Sequence, residues 1–133
     1  MKHLVLYGLL IFLGVICGGG SCTPAPQYIE EDCPLYSELE AINVNPAGAV
    51  DRHLRVEVVF KVCPPEEGLA AIKRKRIELK HELIALLSAK TLEELEDPLR
   101  IEKLRREILF LVNEKLLKKS RVIDVSITAF ELL

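Results

Sequence analysis

The sequence has almost no surplus of charge of either sign. Lys and Arg number 18 against 20 Asp and Glu, a formal net charge of -2 over 133 residues, so no whole-chain field draws it to nucleic acid. Metal-ligand spacing is missing as well: His3, His53 and His81 stand in no ligand pattern with one another or with any cysteine, whereas a tetrahedral site needs ligands in close pairs. Cys17, Cys22, Cys33 and Cys63 contain no C-x-x-C pair. Gly18, Gly19 and Gly20 precede neither a strand nor a phosphate-binding helix and read as a hinge or cleavage region. None of these patterns calls for a cofactor.

What is present is unevenly distributed. Hydrophobic residues form 50 % and charged residues 29 % of the chain, a mixture suited to one modest core. The apolar excess lies at the start, where Leu4, Leu6, Leu9, Leu10, Ile11, Phe12, Leu13, Val15 and Ile16 follow Met1, Lys2 and His3. Thirteen helical residues from Leu4 to Ile16 reach about 20 Å, and counting on through Gly20 about 26 Å, against a bilayer core of about 30 Å. Length therefore leaves three readings open. The segment is a retained anchor, a cleaved signal, or a lipoprotein signal in which Gly-Ser-Cys22 supplies a lipidated cysteine and Thr23-Pro24-Ala25-Pro26 a tether.

All three readings put the rest of the chain outside the cytoplasm. Residues 1–21 are read as anchor or signal and 22–36 as a linker, given Pro24, Pro26 and Pro34 with Glu30, Glu31 and Asp32; 37–133 form the folded domain. Such a domain can hold a disulfide. Cys33 with Cys63 is the pairing that lies wholly within the exported region, worth roughly 3 to 4 kcal/mol in a chain-entropy estimate; two free thiols are the alternative.

Along the domain, Leu39 to Val44 is a short strand candidate and Asn45-Pro46-Ala47-Gly48 a turn. Leu54, Val56, Val58, Phe60 and Val62 then alternate with Arg55, Glu57, Val59 and Lys61, one apolar face of a strand that Pro64-Pro65 stops. From Glu66 to Leu87 the period becomes helical, with Leu69, Ile72, Leu79, Leu83, Leu86 and Leu87 on one face and Arg76 snorkelling among them. Lys73-Arg74-Lys75-Arg76 resembles a nucleic-acid patch in isolation, but Glu78 and Glu82 follow on the same helix, so a solvated face is expected.

Between this helix and the next stands LLSAKTLEEL, residues 86–95. Ser88 and Lys90 are the residue types of a serine-lysine hydrolase. Yet residues two apart on a helix do not face each other, and no oxyanion donor or second base accompanies them. Thr91 and Glu94 form a capping-box pattern, and Asp97-Pro98 reads as N-cap and N1, so the stretch is a joint: helix end, short helix from about Leu92 to Glu96, helix start. The last helix runs from Pro98 to about Lys118 with Ile101, Leu104, Ile108, Leu111, Val112 and Leu116 on one face. Leu99, Phe110 and Leu117 project roughly 160° to 180° from Ile101 as a second apolar stripe, either packed inside the domain or open to a neighbouring copy. Arg121 to Leu132 reads as a strand with Ile123, Val125, Ile127 and Ala129 on one face. The expected fold is α+β, a three-stranded sheet packed against two long helices and a short one.

Three segments carry a resemblance to a known family: Arg52-His53-Leu54-Arg55-Val56, Leu86-Leu87-Ser88-Ala89-Lys90-Thr91 with Glu93-Glu94-Leu95, and Val122-Ile123-Asp124-Val125 with Thr128-Ala129-Phe130. They resemble the flagellar basal-body-associated FliL family. The second closely matches that family's leucine-leucine-serine-serine-lysine-threonine segment between two helices. The resemblance implies a non-catalytic accessory of the bacterial flagellar motor with a stomatin-like periplasmic domain. It further implies an inner-membrane tether, association with copies of itself and with stator and basal-body proteins, and support of motility. An exported serine-lysine hydrolase using Ser88 and Lys90, or a stomatin-like scaffold unrelated to flagella, are the rival readings.

Overall fold

The alternation from Leu54 to Val62 builds the central strand β3, Leu54–Cys63, of a computed structural model that describes residues 32–133. The apolar run from Leu4 to Ile16 and the candidate lipidation site Cys22 lie outside the described residues. Among the described residues no helix is long and apolar enough to cross a membrane. Leu54, Val56, Val58, Phe60 and Val62 are all buried, while Arg55, Glu57, Val59 and Lys61 on the opposite face are only partly so. Helices therefore cover one face of the sheet.

The sheet has four strands, one more than the pattern predicts. β1 (Leu35–Tyr36) pairs antiparallel with Lys61 and Phe60, and β2 (Ile42–Val44) with Val56, Arg55 and Leu54. Both share one edge of β3, because β4 (Arg121–Leu132) occupies the other edge from Leu54↔Leu132 to Cys63↔Arg121. β1 falls in the stretch read as linker, where Pro34 and the acidic residues mask a two-residue strand.

The expected inward face of β4 is corrected by two register shifts, at Glu57/Val58 and Lys61/Val62. They leave Thr128 and Ile123 as extra residues. Each bulge turns the following side chains to the other face, so Val122, Val125, Ile127, Phe130 and Leu132, rather than Ile123 and Ala129, stand opposite the inward residues of β3.

The expected helix from Glu66 to Leu87 is two helices, α1 (Pro65–Arg74) and α2 (Arg76–Ser88). At Lys75 the amide is shared between Ala71 O and Ile72 O at 3.2 Å each, a local tightening, before Leu79 N donates to Lys75 O at 2.7 Å. The break lets α1 lie on β3 and α2 on β2. Ile72, Leu79, Leu83 and Leu87 are buried as their period requires, and Arg76 reaches out to bond Glu40, whose other oxygen takes Lys80 Nζ at 2.9 Å.

After α3 (Leu92–Glu96), α4 spans Arg100–Leu111 and continues as a π-helical turn, Val112–Leu116, in which Leu117 N donates to Val112 O at 3.0 Å. Leu104, Ile108, Val112 and Leu116 are buried; Ile101 is exposed and Leu111 partly so. The wider turn is clamped to β4 by Asn113, whose Nδ2 donates to Val122 O and whose Oδ1 accepts from Val122 N, both at 2.8 Å.

Candidate functional site

The joint between α2 and α3 forms as its local chemistry dictates. Thr91 Oγ1 accepts from Glu94 N at 3.3 Å while Glu94 Oε1 accepts from Thr91 N at 3.4 Å, the reciprocal pair of a capping box. The expected N-cap and N1 roles of Asp97 and Pro98 are corrected: Asp97 ends α3 and its Oδ1 accepts from Leu99 N at 2.7 Å in a turn, so that α4 starts only at Arg100. The turn after β2 docks here, with Ala47 N donating to Lys90 O at 2.9 Å.

Ser88 and Lys90 are not brought together in a working pair. Ser88 Oγ donates to Ile84 O at 2.7 Å, folded back on its own helix. Lys90 Nζ donates to both oxygens of Glu107, at 2.8 and 2.6 Å, and lies 3.4 Å from Glu94 Oε2. Burial disfavours the charge on Lys90, but Glu107 and then Glu94 outweigh it and hold the amine above its ordinary pKa. A serine-activating lysine needs the reverse, a neutral amine directed at the hydroxyl. The arrangement acts as a strut from the joint to α3 and α4. Beside it a cleft of about 100 Å³ is lined by Lys90, Glu94, Asp97, Arg100, Glu107 and Phe130, with the Arg100 guanidinium 5.4 Å from the Phe130 ring centre. That volume is well short of the roughly 300 Å³ at which small-molecule pockets begin.

The second apolar stripe is present in part. Leu99 is 60 % exposed and Phe110 69 %; eleven positions apart, they lie within about 20° of each other around a helix. Leu117 is corrected: it is buried in the core, because the π turn and the extended backbone that follows carry it off the helical azimuth. A further exposed pair, Ile77 and Ile84 on α2, was outside the expected stripes. Its signal in the sequence is their exclusion from the buried face, two turns apart.

Cys33 and Cys63 are joined as a disulfide with Cα atoms 5.2 Å apart, tying the start of the described chain to the end of β3. Among the described residues no group of three or more His, Cys, Asp or Glu side chains gathers as a metal site.

Comparison with family models matches residues 36–131 to the flagellar basal body-associated protein FliL. The chain belongs to the FliL family. The match runs from Tyr36 of β1 to Glu131 of β4 and so includes the joint, the capped helix α3 and the Leu99–Phe110 face. No curated protein matches the chain. FliL membership makes this a flagellar basal-body-associated accessory protein, and the use of Ser88 as a helix-end bond and of Lys90 as a strut is consistent with a family that works without catalysis.

Proposed function

We propose that this protein is held at the bacterial inner membrane by its N-terminal apolar run, with the domain in the periplasm, and that it binds copies of itself and supports the stator units of the flagellar motor. The FliL match over residues 36–131 carries the motor assignment. Self-association is supported by Leu99 and Phe110, two large apolar side chains left in solvent on a domain whose other helical leucines are mostly buried. Export is supported by the apolar run from Leu4 to Ile16, which we read as a retained anchor, and an oxidised Cys33–Cys63 pair suits the periplasm.

Two measurements test the reading. Deleting the gene is expected to impair swimming. Phe110→Asp is expected to weaken self-association in sedimentation velocity while leaving the thermal melt unchanged; loss of a central aromatic anchor typically costs about 2 kcal/mol or more, roughly thirtyfold in Kd. A protein that stays monomeric at high concentration, together with normal motility after deletion, would overturn the proposal.

A further inference from the structure

A cationic cleft lies beside the end of α1, where the chain leaves the π-helical turn for β4. Arg74, Lys75, Lys115, Lys118 and Lys119 line about 350 Å³ together with Ser120. Exposed Arg121 follows directly in sequence. Lys75 reaches Glu78 and Lys115 reaches Glu82, each at 3.5 Å. Among the described residues Arg74, Lys118, Lys119 and Arg121 form no ion pair within 4.0 Å. Four like charges so placed raise a local positive potential that a chain of net charge -2 does not show on average.

Position identifies the anion. Arg121 pairs with Cys63 across the sheet, and Cys63 is bonded to Cys33. Lys118 to Arg121 therefore stand at the end of the sheet where the chain arrives from the apolar run. Ile16 and Cys33 are separated by 16 residues, a stretch that can span roughly 60 Å at the most. An anchor at Leu4 to Ile16 thus keeps this end of the domain within reach of the bilayer surface.

We propose that the cleft docks the phosphate groups of anionic phospholipids in the membrane that holds the N-terminal run, turning this end of the domain toward the bilayer. The inference rests on the anchor reading given above. Lysine and arginine near an acidic leaflet each contribute about fivefold in partitioning, so losing two of them is expected to weaken docking about twenty- to thirtyfold. Glu30, Glu31 and Asp32 directly precede Cys33 in sequence and are the intramolecular competitor.

The test uses the full chain with vesicles of phosphatidylcholine alone, or with a quarter phosphatidylglycerol, and brief acetylation of lysines read by mass spectrometry. Lys115, Lys118 and Lys119 are expected to label several-fold more slowly on the anionic vesicles. Lys103, beside Phe130 at the opposite end of β4, should not change. Protection should vanish at 1 M salt, where the Debye length is about 3 Å, and Lys118→Gln/Lys119→Gln should return Lys115 to its rate on neutral vesicles. Equal labelling on both vesicle types, with the chain floating on both, overturns the docking site and leaves the anchor intact. Failure to float with neutral vesicles, with protection still seen on anionic ones, overturns the anchor and upholds headgroup docking. Protection without any vesicle, relieved by Glu30→Gln/Glu31→Gln, assigns the cleft to the acidic run and overturns the proposal.

Discussion

At Gly68 the backbone of α1 approaches β3 so closely that a Cβ would stand 2.8 Å from Val62 Cγ1 and 2.9 Å from the carbonyl carbon of Cys63. A backbone atom cannot yield as a flexible side chain does. Gly68→Ala gains about 0.5 to 1 kcal/mol in helix propensity but meets an overpacking cost of about 1 to 3 kcal/mol. We expect a net loss of about 1 kcal/mol, read as a lower urea midpoint; an unchanged or raised midpoint would show that α1 can slide away. Lys90 makes a pH prediction. Its pKa is raised in the fold by Glu107 and Glu94 against the opposing effect of burial. Its stabilisation is thus complete below the ordinary lysine value and fades as pH climbs through the raised one. Lys90→Met should lower stability at neutral pH and lose less than the unaltered protein from about pH 10 upward. Parallel melting curves for the two across that alkaline range would refute the strut.

At the level of elements, the shortest α-helix is the one most fully specified by its own residues. α3 has only Leu92–Glu96, too short to stand on helix propensity, and its start is fixed by Thr91 and Glu94. Replacing Thr91 with Ala is expected to cost about 1 kcal/mol. The Glu94 carboxyl, held below its ordinary pKa first by the Thr91 backbone amide and then by the Thr91 side chain, should move back up in an NMR titration of that variant. In the unaltered protein this carboxylate contributes stability above its ordinary pKa that is lost as pH falls through the lowered one. The longer elements were legible in type and less so in extent. The strand at Leu54–Cys63 and the helical faces around Leu83 and Ile108 follow from period alone. The break at Lys75, the π turn at Val112 and the two bulges of β4 do not, since each involves how an element meets the one it packs on.

For the whole molecule, the Cys33–Cys63 bond closes a separation of 30 residues and pins the edge strand β1 against β3. Reduction is expected to remove roughly 3 to 4 kcal/mol, measured as urea unfolding with and without dithiothreitol. Coincident curves, with four titratable thiols in the unreduced, unfolded full chain where the bond leaves at most two, would mean that Cys33 and Cys63 are free. The two ends of the sheet also differ in character. Around Cys63 lie the disulfide, the arriving chain and the cationic cleft; around Phe130 lie Arg100 and the paired charges Lys103 and Asp97 at 2.7 Å. A domain so polarised can present one end to a membrane and a side to its neighbours.

The sequence by itself determined the α+β class, the long central strand, the joint at LLSAKTLEEL and the FliL likeness, because alternation, helical period and capping are interactions among residues a few positions apart. Tertiary structure decided which candidates share a surface. It took Leu117 into the core and left Leu99 and Phe110 outside, gave Lys90 to Glu107 rather than to Ser88, and gathered Arg74 with Lys118 and Lys119. Those outcomes depend on contacts between segments distant in the chain, where a one-residue bulge or a single wide turn redirects every side chain that follows it.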